Sequence, residues 1–188
     1  MIPKQNLPLP ARLPGHPLRI AAVLALLTVG AAVSAHGPTR QKAVETVRID
    51  APAEVVWARI KNFDALKDWH PAVAESVASK GNDEGSVRTV KLKGGGELVE
   101  TLENYNDAAK KVSYRLKDGG ALPVTNYTST LAVTADGAKS VVEWRGAFYR
   151  GYPNNDPPPD RNDEAALKAV AGFYTSGLAN LKKLVEAK

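Results

Sequence analysis

"RTVKLKGGGELVETL", residues 88–102, reads as two strands folded back on a glycine turn. Side chains alternate faces along a strand, so Val90 and Leu92 share a face with Arg88, and Leu98 and Leu102 share one with Glu100. Each apolar face therefore carries one charge. If Val90 pairs opposite Leu98 across "GGG", Arg88 falls opposite Glu100. A single charge stranded in a low-dielectric interior is costly, so this register predicts an ion pair on the buried face. A slip of one residue would turn the charges to solvent and dissolve the pair. The glycines at 94–96 are a hairpin turn, not a phosphate cradle, because a strand follows them and no helix does.

Upstream, "KAVETVRID" (42–50) alternates as a strand, with Ala43, Glu45, Val47 and Ile49 on one side. "APAEVVWARIKNF" places Pro52 near a first helical turn and Val56, Ile60 and Phe63 at helical spacing. "DALKDWHP" reads as a second short helix with Asp64 as a candidate N-cap and Pro71 near its end. Strands are expected at 73–80, 86–93, 97–105, 110–117, 124–135 and 139–150, with short turn-rich separators that suit antiparallel hairpins. An amphipathic helix over 163–186 closes the chain, capped by Asp160 or Asn162, with Leu167, Val170, Tyr174, Leu178, Leu181 and Val185 in a stripe. The class is α+β. A seven-stranded antiparallel sheet with one apolar face needs a cover, and the last helix is the cover available. A curved sheet gripping one helix leaves a gap, and the gap is expected to be a pocket.

Alternation assigns the pocket wall. Arg88, Val90, Leu92, Leu98, Glu100 and Leu102 come from the first hairpin, and Tyr114 and Leu116 from the next strand. Tyr127 and Leu131, then Trp144 and Phe148, come from the last two strands, and Tyr174 and Leu178 from the closing helix. Such a lining suits a largely apolar ligand with one polar end. The alternative is that the aromatics fill a core and the ion pair only sets strand register. Trp69 and His70 in "DWHP" fall where the second helix gives way to a strand, a natural rim. A histidine there, with Glu100, is a weak candidate for acid-base chemistry; a packed histidine is the plainer reading. "RGYPNNDPPPD" (150–160) is either a lid or a stiff connector. Gly172 and Gly177 either let the last helix approach the sheet or bend it.

The front of the chain reads as a leader. Lys4, Arg12 and Arg19 precede the apolar run Ile20 to Val33, and "VSA" supplies small residues for cleavage after Ala35. Fourteen residues of helix span about 21 Å, short of a bilayer core of roughly 30 Å, which argues against a stable membrane anchor. Domain boundaries follow: signal peptide 1–35, a tail at 36–41, and one domain at 42–188. The mature chain holds 22 basic and 20 acidic residues, so the basicity of the whole, +5, is mostly leader. Without a basic stripe interleaved with aromatics, nucleic acid is excluded as a partner. There is no cysteine, which removes disulfides and thiol chemistry and is compatible with an oxidising compartment. No metal cluster, and hence no cofactor, is expected. The one weak metal candidate is His36, which cleavage would leave as an N-terminal amine and imidazole able to chelate copper.

Four segments, "APAEVVWARIKNFDALKDWHP", "GSVRTVKLKGGGELVETL", "LPVTNYTSTLAV" and "VVEWRGAFY", stand in an order and spacing that resemble one family. It is the START-like, birch-pollen-allergen-like (SRPBCC) superfamily, often labelled polyketide cyclase or dehydrase, and the resemblance covers about residues 41–186. It implies a helix-grip fold. Within it, "AHGPTRQKAVETVRIDAP" after a leader and "YRGYPNNDPPPDRNDEAALKAVAGFYTSGLANLK" look like periplasmic MxaD-type accessory proteins of methanol oxidation. That resemblance implies a periplasmic, non-enzymatic protein aiding electron transfer from methanol dehydrogenase to its cytochrome. The residues themselves leave two other readings open. One is a carrier of a hydrophobic small molecule; the other is a cyclase or dehydratase using Glu100, His70 or Tyr127.

Overall fold

A computed structural model describes residues 37–187. The expected leader, its cleavage after Ala35, and His36 with its proposed copper chelation lie outside the described residues. Strand β1 (Gln41–Ile49) takes in one residue of the expected tail and buries Ala43 and Ile49. Helix α1 (Ala53–Ile60) starts after Pro52, whose carbonyl accepts from the amides of Val55 and Val56. Its buried face is Ala53, Val56, Trp57 and Ile60. Helix α2 (Leu66–Trp69) follows after a turn in which the Ala65 amide bonds the Asn62 carbonyl. Asp64 therefore does not cap it: the residue at the N-cap is Ala65, because that turn leads into the helix one residue later than the sequence pattern suggests.

Six strands then run in order, β2 (Val73–Ala78), β3 (Val87–Leu92), β4 (Glu97–Asn106), β5 (Lys111–Leu116), β6 (Val124–Asp136) and β7 (Lys139–Arg150). The sheet order is β1-β7-β6-β5-β4-β3-β2, and every neighbouring pair is antiparallel. The two short helices carry the chain from one sheet edge to the other, and the meander brings it back beside β1. Register shifts at Leu102/Asn104 and Thr125/Thr128 mark bulges, the device that bends a strand and deepens sheet curvature.

Helix α3 (Asp163–Glu186) has the expected bounds, and Asn162 caps it, its Oδ1 accepting from the Ala165 amide at 2.8 Å. The stripe is Ala166, Val170, Tyr174, Leu178 and Leu181; Leu167, expected to face the sheet, is 36% exposed because Ala166 takes the inner position. Helix α3 packs on β1 and β7, α1 on β6 and β7, and α2 on β2 and α3. This is a helix-grip fold. No helix among the described residues is long and apolar enough to cross a membrane.

Candidate functional site

The register of β3 and β4 is Val90 opposite Leu98 and Arg88 opposite Glu100. Both charges point into the grip, at 5% and 3% exposure. Arg88 donates from Nε to Glu100 Oε2 at 2.7 Å, and its Nη2 lies 2.5 Å from the same oxygen. Its Nη1 donates to the Phe63 carbonyl at 2.5 Å. The guanidinium also faces two rings, 4.0 Å from the centre of Phe63 and 5.0 Å from that of Tyr114. Charge, hydrogen bonds and ring faces together compensate the desolvation of this pair.

A second polar cluster lies on the concave face of β5, β6 and β7 beneath α3. Ser129 Oγ donates to the Arg145 carbonyl at 3.0 Å, so its single proton is committed. Tyr174 Oη, 2.9 Å away, must then donate to Ser129, and Tyr127 Oη, 2.5 Å from Tyr174, must donate to Tyr174. Trp144 Nε1 divides its proton between Ser129 Oγ and Tyr114 Oη, each at 3.0 Å. Burial, reinforced by the Glu100 carboxylate, pushes Tyr114 up to about 12. Burial also holds Tyr127 and Tyr174 well above the ordinary tyrosine value. All three remain phenols at neutral pH and supply hydrogen bonds, not a base.

Two glycines make this packing feasible. A Cβ on Gly146 would collide with Tyr174 Oη, and a Cβ on Gly177 would sit 2.5 Å from His70 Cδ2 and 2.9 Å from Trp144 Cζ3. Gly177 thus brings the helix close to the rings beneath it. Gly172 meets nothing within 4 Å and has no such role.

His70 is not on a rim. It is 1% exposed, stacked on Phe173 with ring centres 3.9 Å apart. Nε2 donates to the Phe173 carbonyl at 2.9 Å, and Nδ1 accepts from the Ala72 amide at 3.2 Å. Burial lowers its pKa to about 4. Both ring nitrogens are engaged and the ring is neutral, and among the described residues no hydrogen bond or ion pair joins it to Glu100. Trp69 is likewise buried, 5.4 Å from Trp144 between ring centres. Its carbonyl accepts from Asn180 on α3 at 2.8 Å.

The expected gap between sheet and helix is closed. Val90, Leu98, Leu102, Leu116, Leu131, Phe148 and Leu178 are all buried with the aromatics, and Leu92 is partly buried at the edge. An internal cleft between Phe63, Leu66, Arg88, Tyr114 and Trp144 has a volume of about 10 Å³. That is barely the space of one water. Large rings fill the space because three tyrosines, two tryptophans and Phe63 converge there.

Sequence reasoning missed Phe63 as part of the site, taking it for a helical stripe residue, and it missed buried Arg150. Arg150 pins the proline-rich segment by donating to the carbonyls of Tyr152 and Asn154 at 2.9 Å each and to Asp163 at 3.1 Å. Arg161 lies 5.6 Å from the Tyr152 ring centre in the same segment. The signal for Arg150 was a lone charge on an apolar strand face, read at Arg88 and overlooked at Arg150, where alternation puts it with Phe148. No group of three or more metal-ligating side chains is assembled among the described residues.

The model of the family described as polyketide cyclase / dehydrase and lipid transport matches residues 40–186. The chain belongs to that family. Two solved bacterial members of the fold are similar to it. An uncharacterized protein of Bacillus thuringiensis is 30% identical, covers 78% of this chain and 100% of its own, and has a TM-score of 0.66. The protein XoxI of Bacillus cereus is 30% identical, covers 77% of this chain and 94% of its own, and has a TM-score of 0.65. Abscisic acid receptor PYL2 of Arabidopsis thaliana is 35% identical over 100 residues, 51% of this chain and 52% of that protein. The chain spans about half the length of the curated relatives it matches.

Proposed function

We propose that this family member is a non-enzymatic binding protein whose grip takes up a small, mainly apolar molecule with one polar group. The observation that carries the reading is the pair of polar clusters, Arg88–Glu100 and Tyr127–Tyr174–Ser129–Trp144, sunk in an otherwise apolar interior. A core that served stability alone would gain little from them, since buried ion pairs seldom outperform apolar side chains of the same volume. Membership of a family that includes lipid transport, and similarity over half its length to a receptor named for a small acid, support the same reading. Against catalysis stand a neutral, doubly bonded His70 and three tyrosines held as phenols.

Native mass spectrometry of protein purified from its own host without detergent tests this. A bound species of small mass is expected, and Tyr174→Phe should weaken its retention. A mass free of any bound species, with no spectral response of the interior to apolar probes, would overturn the reading.

A second reading is favoured by the filled grip, because a grip without room for a ligand leaves the surface to meet partners. In it the chain is exported after cleavage at Ala35 and serves periplasmic methanol oxidation beside methanol dehydrogenase and its cytochrome. Its support is the resemblance of the segments at the two ends of the domain. Affinity capture from a methanol-grown host should recover one of the two proteins, and recovery of neither sinks it.

A further inference from the structure

The small-molecule reading leaves open where the ligand's polar group goes and what it displaces. Arg88 answers both. A guanidinium carries five N–H donors, and its contacts with Glu100 and the Phe63 carbonyl account for three of them. The other two have no partner among the described residues, in a side chain only 6% exposed that lines the internal cleft. Phe63 sits over this cation, offering it a carbonyl oxygen at 2.5 Å and a ring face at 4.0 Å.

Phe63 also belongs to the cover of the cleft. It lies between α1 and α2, outside both helices. Its amide has no backbone partner and donates to the Asn82 side-chain Oδ1 at 2.7 Å, and its carbonyl accepts from Arg88. Its neighbours Lys61 and Asn62 line the same cleft, and Asn62 is exposed. The Phe63 backbone is thus held by two side-chain hydrogen bonds, while its ring is packed in the core. Such locally supported segments open at lower free energy than the sheet around them.

We propose that Phe63 occupies the place of the ligand, so that the ligand class is a small uncharged molecule with a planar ring beside a carbonyl oxygen. This rests on the small-molecule reading above. As Phe63 swings out, the ligand's oxygen takes over the Arg88 Nη1 proton and its ring takes the place of the Phe63 ring against the guanidinium. The ligand is neutral for an electrostatic reason. Glu100 already balances Arg88, so a carboxylate would bring one uncompensated negative charge into a desolvated space beside another carboxylate. A neutral carbonyl reproduces what Phe63 supplies now.

The test is an NMR titration of the purified protein with acetophenone, ethylbenzene and benzoate, following the Arg88 Nε–H and Phe63 ring resonances. Acetophenone should shift both and bind about tenfold more tightly than either of the others, the value of one net hydrogen bond. Phe63→Leu, which removes the competing ring, should tighten acetophenone binding further. Equal binding of ethylbenzene, or a preference for benzoate, overturns the carbonyl assignment while leaving an apolar-ligand protein standing. Acetophenone binding with Arg88 unmoved, or unaffected by Phe63→Leu, overturns the displacement. If that variant does not fold, the wild-type panel decides alone. Should none of the three bind, this inference fails, and the earlier reading falls with it only if the host-purified protein also carries no bound species.

Discussion

Removing one member of the Arg88–Glu100 pair should be more damaging than removing both. Arg88→Met leaves a carboxylate 3% exposed with its cation gone. Glu100→Leu leaves a guanidinium with one carbonyl and two ring faces for company. Breaking a buried pair in this way costs about 3–5 kcal/mol. In a chain of this size each kcal/mol lowers the melting temperature by about 2–4 °C, so either single variant should lose on the order of 6–20 °C. The double variant strands no charge and keeps the volume filled. It forfeits the Arg88–Phe63 hydrogen bond, about 1 kcal/mol, and the contact with two rings, up to about 2 kcal/mol. It should therefore cost less than either single change. Urea unfolding at pH 7, followed by tryptophan fluorescence, measures all three, with equal m-values as the condition for comparing midpoints. A double variant as unstable as the sum of the singles would show two charges solvated independently and refute the buried pair. Single variants within about 0.5 kcal/mol of wild type would refute desolvation itself.

The neutral His70 ring makes stability depend on acid. Its unfolded value of 6.5 falls to about 4 on folding, so its contribution is full above pH 6.5 and is lost as pH falls toward 4. The loss amounts to about 3 kcal/mol over that interval; an NMR titration of the His70 ring with a midpoint near 6.5 would contradict it. Gly177→Ala should destabilise by up to about 2 kcal/mol, because overpacking against His70 and Trp144, about 1–3 kcal/mol, exceeds the helix preference of alanine, about 1 kcal/mol. Thermal unfolding checks the sign, and a stabilised variant would mean that the rings yield easily. Arg150→Met should speed hydrogen exchange of the amides from Gly151 to Asn162, and unchanged protection there would show that the prolines order this segment without the guanidinium.

What was legible in the sequence follows from period. The Arg88–Glu100 pairing depends only on alternation and a short glycine turn, and both are local. The bounds of α3 are local too, since Asn162 caps and the apolar positions recur along 24 residues. Leu167 was misplaced because Ala166 is equally compatible with the stripe, and only the sheet's curvature chooses between them. The closed interior could not be read at all: whether a gap survives depends on how Trp69, Trp144, Tyr174 and Phe63 stack in three dimensions. His70 is the instructive error. Its position after a short helix suggested a rim, yet Gly177, more than a hundred residues later, is what admits it to the core. Phe63 was hidden for another reason, because what matters chemically is its backbone carbonyl, and a carbonyl has no signature in sequence.

A filled interior is compatible with binding if the exchange is conservative. Among the described residues, the buried polar side-chain atoms without a partner are on Ser76, Ser140 and Asp163, and none belongs to either cluster. Every polar side-chain atom of the two clusters already has a partner, with only two N–H donors of Arg88 to spare. A ligand with several polar groups would have to break the Tyr127–Tyr174–Ser129 chain and match it atom for atom, and any mismatch leaves a buried donor or acceptor stranded at about 1–3 kcal/mol. One carbonyl replacing one carbonyl at Arg88 avoids that cost. Selectivity then comes from the protein's own hydrogen-bond inventory, and affinity from the closing equilibrium of Phe63. If the open form is a fraction of the population, the apparent dissociation constant rises by the inverse of that fraction. Binding to the wild type should therefore be weaker than the contacts alone imply, and removing the Phe63 ring is the change that recovers the difference.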